Sequence, residues 1–187
     1  MNDIETTYCG AIKTMKGPSA ILHQEYHDRL YGFPLNDDAE LFGRLILEIN
    51  QAGLSWTTIL QKQEAFRNAY CNYDINRVAA FGAADVERLL NDAGIIRNRL
   101  KIHAAIHNAL VILTLQKEAG SFSKWLDLHT RNSLEDWVVL FKKQFRFTGR
   151  EIVNEFLMST GYLPGAHHPQ CPVYKKIIAR KPVWKNR

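Results

Sequence analysis

All six prolines of this 187-residue chain lie outside residues 35–163. Proline has no amide hydrogen and its ring collides with the preceding helical turn, a cost of about 3 kcal/mol in a helix interior. The intervening stretch is therefore open to helices along its whole length, and its punctuation agrees. Asp37 or Asp38 can cap a helix running to about Ala52, where Gly53 stops it, and Ser55 can cap a second from Trp56 to about Tyr70. Asp74 and Ala84 open two short helices, the second ended by Gly94. A long helix from about Arg97 to Glu118 buries Ile102, Ala105, Ile106, Ala109 and Leu113 at helical spacing and closes at Gly120. Ser133-Leu134-Glu135-Asp136 reads as a capping box, and a last helix runs from about Glu151 to Thr160. No period-two strand and no internal repeat stands out, so the expectation is an all-α fold with one domain over 1–187. Its proline-bearing ends, 1–36 and 162–175, need something to tie them down, and 176–187 reads as a basic tail.

Composition serves mainly to exclude. The chain does not begin with a basic segment followed by an apolar run, and nowhere do eighteen apolar residues stand together, which predicts a cytoplasmic chain with no membrane partner. Cys9, Cys71 and Cys171 are too few and too scattered for a disulfide framework, so free or metal-bound thiols are expected, with Cys71 an inert core thiol. The net charge of +5 is concentrated: from Cys171 to Arg187 there are six Lys or Arg and no acid. Charge alone is therefore a poor argument for nucleic acid, since a solvated basic tail gives the same total.

Three constellations carry chemistry. Glu48 follows Leu41 by seven and Leu45 by three and precedes Ala52 by four, which puts its carboxylate inside an apolar helical stripe. An ionised carboxylate buried without a partner costs several kcal/mol, so it needs a bonded partner, a raised pKa or a task. Just beyond it, Gln51-Ala52-Gly53-Leu54-Ser55-Trp56 makes a helix end, a glycine turn and a new helix carrying an indole. An acid beside an indole suits a flat cationic ligand, although Trp56 in the core fits the spacing as well.

The second constellation is a pair of His/Cys sets, His167 with Cys171 and Cys9 with His27, a donor set suited to tetrahedral zinc whose spacing matches no standard finger. His103 and His107, one turn apart on the long helix, are the alternative metal pair or simply surface histidines. The third is the stretch from Asn91 to Lys101, a glycine-containing hairpin opening the long helix, where backbone amides with Arg97, Arg99 and Lys101 can hold a phosphate or merely turn the chain.

Taken in order, Cys9-Gly10, Tyr26-His27-Asp28, Gly32-Phe33-Pro34, Leu41-Phe42, Glu48, Gln51 through Trp56, Asp92 through Arg97, Lys101-Ile102, Phe147, Gly149 and His167-x3-Cys171 resemble the 3-methyladenine DNA glycosylase I family over about residues 8–175. The resemblance implies a helix-hairpin-helix glycosylase-like fold with a zinc-binding element built from both termini. It implies one structural zinc on Cys9, His27, His167 and Cys171, whose four protein ligands leave no open position for water. Tyr26 and Glu48 match the residues that hydrogen-bond an extruded base, Trp56 the one that stacks on it, and Glu48 is the catalytic position. Gly53 and Leu54 match the loop that approaches the gap in the duplex, and Gly94 with Arg97 the phosphate-binding hairpin. The implied partner is double-stranded DNA containing alkylated bases, the implied activity monofunctional excision of 3-methyladenine, and a monomer is the default. A zinc-stabilised module that binds damaged DNA without cutting is the alternative. The chain departs from the family at Ala11, where Trp is usual, at His23 and Tyr31, where Tyr and Trp are usual, and at Thr148-Gly149-Arg150-Glu151 in place of Val-Gly-Pro-Thr. Losses at 11 and 23 are expected to strip aromatic surface from the pocket.

Overall fold

The computed structural model describes residues 3–186 and is all-helical, with no strand among the described residues. The α-helices are α1 (Tyr8–Thr14), α2 (Pro18–Arg29), α3 (Asp38–Gln51), α4 (Trp56–Gln61), α5 (Gln63–Ala69), α6 (Ile75–Ala79), α7 (Ala83–Asn91), α8 (Arg99–Ala119), α9 (Phe122–Asp127), α10 (Leu134–Gln144), α11 (Arg150–Ser159) and α12 (Pro172–Ala179). None of them is long and apolar enough to cross a membrane.

The expected helix after residue 37 is α3, capped by Asp37, whose carboxylate accepts from the Glu40 amide at 2.9 Å. Ten consecutive residues, Leu41–Asn50, are buried on it, because α4, α5, α8, α9 and α11 pack around it. A helix enclosed on all sides gives every side chain a low-dielectric setting, polar ones included. The long helix is α8, started by the Asn98 side chain on the Lys101 amide and stopped by Gly120 in the left-handed region at φ +90°. Ser133 and Asp136 make the expected capping box at the head of α10.

Several elements differ from the sequence reading. The single helix expected from Trp56 to Tyr70 is broken at Lys62, whose amide tightens onto the Ile59 and Leu60 carbonyls while its ammonium donates to the carbonyls of Ala93 and Gly94 at 2.8 and 3.2 Å. No glycine or proline marks this break; a tertiary bond fixes it. The second short helix, α7, begins at Ala83 and ends at Asn91, short of Gly94, which sits in the following hairpin instead. Cys71 is a half-buried free thiol in a left-handed turn at φ +54°, so the core assignment is corrected. The termini, read only as ends in need of anchoring, carry α1, α2 and α12, the last reaching into the segment read as a basic tail. They have apolar clusters of their own, one around Cys9, Cys171, Val173 and Ile177 and one around Tyr26, Tyr31 and Leu60.

Asp38 ties this arrangement together. Its carboxylate accepts from Gln116 Nε2 at 2.6 Å and from the amides of Phe122 and Ser123 at 2.8 and 2.9 Å, so the first turn of α3 also caps α9 and meets the end of α8. Hydrogen bonds to a charged group contribute about 1.5–3 kcal/mol each where solvent is excluded, and less at a half-exposed site. Asp38→Ala is expected to lower stability by roughly 2–3 kcal/mol, read in urea titration as a fall in midpoint at unchanged slope, with Asp38→Asn intermediate between the two.

Candidate functional site

Glu48, on the last turn but one of α3, is 3% exposed. Arg44, one turn earlier, is also buried, yet its guanidinium is directed elsewhere. Nη1 donates to the Tyr26 hydroxyl at 3.2 Å and to the Ser159 carbonyl at 3.3 Å, and Cζ stands 5.2 Å from the Tyr26 ring centre. No ion pair joins Arg44 to Glu48 among the described residues. The carboxylate accepts one long bond, from Ser159 Oγ at 3.4 Å. Burial pushes its pKa up to about 8; the Arg44 charge opposes this, the Glu155 charge adds to it, and the Ser159 bond lowers it.

Glu48 opens onto a cavity of about 770 Å³, within the usual size range of small-molecule sites. Four aromatic residues, Tyr8, Tyr26, Tyr31 and Trp56, wall it, and Gln51–Gly53, Gly149–Ile152 and Glu155 complete the lining. Tyr26 and Trp56 stand 5.0 Å apart at 59°, brought together because α2 packs on α4. The Trp56 indole N–H is buried with no partner among the described residues. Gly53 has φ +83° at the turn, a conformation that costs a residue with Cβ roughly 1–2 kcal/mol, and Leu54 beside it is 39% exposed.

The aromatic wall corrects an expectation. Ala11 is exposed and neither it nor His23 lines the cavity. His23 stands behind the wall, its Nδ1 joined to the Tyr8 hydroxyl and its Nε2 to Thr57 Oγ1, both at 2.8 Å. Tyr8 and Tyr31, which sequence reasoning did not assign to the pocket, supply the surface instead. Glu155 was missed too: unlike Glu48 it has polar residues, Glu151 and Ser159, four positions before and after it, so no apolar stripe singled it out.

Cys9, His27, His167 and Cys171 come together from α1, α2 and the segment leading into α12. All four are buried, and their ligand atoms lie within 4.8 Å of one another, so the set can hold a metal ion. Cys9 Sγ lies 3.5 Å from His167 Nδ1, and Cys171 Sγ lies 3.6 Å from His167 Nδ1 and 3.7 Å from His27 Nε2. The far ring nitrogens are oriented in turn: His27 Nδ1 faces Asp28 Oδ1 at 2.7 Å, and His167 Nε2 faces the Tyr31 carbonyl at 2.9 Å. Burial holds the His167 pKa down to about 4, the neutral state a metal requires. Among the described residues His103 and His107 join no such group; His103 is exposed.

The hairpin before α8 stands apart from the cavity lining. Gly94 donates its amide to Asp92 Oδ1 at 2.7 Å, and a Cβ there would meet that same oxygen at 2.9 Å and the Ala65 Cβ at 3.0 Å, so the close turn explains the glycine. Arg97 is exposed and Arg99 pairs loosely with Glu87 at 3.9 Å. Lys101, expected among the phosphate-binding cations, is instead buried, its ammonium donating to the carbonyls of Asn50 and Ala52 at 2.9 and 2.8 Å. It caps the end of α3 where the helix dipole is negative.

The methyladenine glycosylase family profile matches residues 17–174. DNA-3-methyladenine glycosylase 1 of Escherichia coli strain K12 is 36% identical, with 82% of this chain and 91% of that protein covered. Among solved structures, 3-methyladenine DNA glycosylase I from Staphylococcus aureus, described for its recognition of 3-methyladenine, superposes with a TM-score of 0.79 at 30% identity over 91% of this chain and 96% of its own. A tyrosine-to-phenylalanine variant of 3-methyladenine DNA glycosylase I in complex with 3-methyladenine superposes at 0.77 with 31% identity, over 87% and 95% of the two chains.

The raised Glu48 pKa has a signature independent of any activity. An unfolded glutamate titrates near about 4.3, so between that pH and about 8 the native state holds a proton the unfolded state has lost. Stability must then fall as pH rises through this window. Glu48→Gln is free of that penalty, and its Tm advantage over the wild type should grow by about 3 °C or more between pH 5 and pH 8. A difference that stays flat with pH would mean that the acid titrates normally.

Proposed function

The chain belongs to the methyladenine glycosylase family, and from that premise we propose that the Glu48 cavity receives an alkylated adenine turned out of duplex DNA, which the protein releases by hydrolysing its bond to the sugar. The supporting observation is an un-ion-paired acid facing an aromatic wall. Adenine alkylated at N3 within DNA is cationic, which weakens its glycosidic bond and makes it a good leaving group without protonation. What such chemistry needs is a site that flips the nucleotide, fits the flat cation and lets water reach the sugar.

Each assigned residue has a part in this. Trp56 stacks on the base and Tyr26 and Glu48 meet its edge, where a cation replaces the solvation that burial removed from the carboxylate. Glu48 acts on the charge of the departing base and is not assigned to deprotonate water. Gly53 and Leu54, at the exposed turn on the rim, face the gap left in the duplex. Gly94 and Arg97 belong to a hairpin turned outward, suited to phosphate contacts that fix register.

The metal cluster is assigned to structural zinc, one per chain. Zinc–sulfur bonds of about 2.3 Å and zinc–nitrogen bonds of about 2.0–2.1 Å at tetrahedral angles separate sulfur from nitrogen by roughly 3.5 Å, and the sulfur–nitrogen distances here are 3.5, 3.6 and 3.7 Å. Zinc with four protein ligands supplies cross-linking of the two termini and no activated water.

Two experiments check these assignments. With methylated duplex DNA the wild type should release free 3-methyladenine. Glu48→Gln should lower kcat/KM by about 10²-fold, and Trp56→Ala by roughly 5- to 100-fold, the range of a lost base–aromatic stack. Lesion binding without release would identify a non-cutting module, and release unchanged in both variants would refute the pocket. Metal analysis should give one zinc per chain, and Cys9→Ser should lose it together with about 5 °C or more of Tm, since binding energy at such sites is folding energy. Zinc retained without Cys9 and Cys171 would refute the ligand set.

A further inference from the structure

Glu48 is not the only acid in the cavity. Glu155, from α11, lines the same space, half-buried. Its Oε2 accepts from the Tyr31 hydroxyl at 3.1 Å, while Oε1 accepts no hydrogen bond among the described residues. No Lys, Arg or His pairs with it there. The nearby cations have other partners: Arg150, on the rim, donates to Glu135 at 2.8 Å, and Arg44 holds Tyr26 and the Ser159 carbonyl. The cavity thus joins three carboxylates that lack ion-pair partners among the described residues, exposed Glu151 and, on facing elements, buried Glu48 and half-buried Glu155, to one aromatic wall. Like charges sharing a poorly solvated space raise one another's cost of ionisation, and burial holds Glu48 and Glu155 above the ordinary range, with Glu155 adding to the rise at Glu48. A positive ligand is the one occupant that relieves both. A merely structural role does not require this arrangement, because the Tyr31 hydroxyl at a cavity wall is satisfied by water as well as by an acid.

We propose that Glu155, held by the Tyr31 hydroxyl, is a second specificity-determining carboxylate of this cavity, acting with Glu48 to favour a fully charged purine over a neutral one of the same shape. The proposal rests on the assignment of the cavity to an extruded cationic adenine. Glu48 approaches the base from α3 and Glu155 from α11, so discrimination depends on two acids rather than one.

The test compares charge at constant shape. Full-length wild type, Glu155→Gln, Glu155→Asp and Tyr31→Phe are assayed for kcat/KM on duplex DNA containing 3-methyladenine. Their Kd is measured for a duplex carrying the uncharged 3-deaza isostere, in which carbon replaces N3. Glu155→Gln should lower kcat/KM on the charged lesion about tenfold, the effect of losing one charged hydrogen-bonding partner, and change Kd for the isostere less than twofold. Glu155→Asp, which keeps the charge, should stay within threefold of wild type on both, and Tyr31→Phe, which releases the carboxylate from its holding hydroxyl, should lower kcat/KM on the charged lesion by less than Glu155→Gln does while changing Kd for the isostere less than twofold. An equal loss on both DNAs, in Glu155→Gln or in Tyr31→Phe, would make Glu155 a prop for the aromatic wall and overturn the proposal. Kinetics unchanged in Glu155→Gln would do the same while leaving the excision activity intact, whereas a wild type that releases no base would strike at the activity itself.

Discussion

Desolvation of one carboxylate sets the terms for the rest of this structure. Ten consecutive residues of α3 are buried, and Glu48 is among them. The obvious neutralising group is one turn away, yet Arg44 is held by the Tyr26 hydroxyl, the Tyr26 ring face and the Ser159 carbonyl. Had the guanidinium closed on the carboxylate, the pair would have been stable and inert. Directed elsewhere, it leaves an acid whose pKa has risen to about 8 and which gains most when a positive charge arrives. On the assignment of this cavity to an extruded base, it favours a charged guest before any shape is considered, because a cation offsets the cost of ionising Glu48 and a neutral guest does not.

The terminal cluster is coupled to this cavity by adjacency in sequence. Tyr8 precedes Cys9, Tyr26 precedes His27, and the Tyr31 backbone carbonyl receives the far nitrogen of His167. Three of the four aromatic residues of the wall are therefore fixed through residues of the Cys/His set or directly beside them. Ends that would fray on their own become the rigid side of the pocket. Packing supports the same conclusion, because Tyr26 and Tyr31 form an apolar cluster with Leu60 rather than joining the main core.

Much of this was readable from the residues. Proline distribution, caps and glycine stops placed α3, α8 and α10 closely, since those signals are local. Glu48 stood out because a charge in an apolar stripe violates a local rule, and such violations mark sites. The unread parts are those fixed by distant partners. Lys62 breaks a helix by bonding across to Ala93 and Gly94, and Lys101, one of three cations in a row of similar residues, turns inward to cap α3. Nothing at 62 or 101 encodes those destinations. Tyr8 and Tyr31 were hidden for a different reason: the wall they form exists only once both termini meet, and no periodicity reports that. Glu155 did not stand out, because the positions four before and four after it, Glu151 and Ser159, are polar and make no apolar stripe.

The rim shows why a rigid scaffold matters to a site that must take its guest from a stacked duplex. Unstacking a base costs a few kcal/mol, which has to be recovered from contacts that are in place beforehand. Here the turn after α3 is locked from both sides: Lys101 holds the carbonyls of Asn50 and Ala52, and the Gln51 side chain donates to the Leu54 carbonyl at 3.0 Å. Gly53 supplies the left-handed step, and Leu54 is left projecting, 39% exposed. An apolar side chain displayed on a mobile loop would lose conformational entropy on entering DNA. One displayed on a turn whose carbonyls are already bonded loses little, so in the proposed role of Leu54 at the gap the buried lysine on α8 would favour extrusion by fixing the turn, without approaching the DNA.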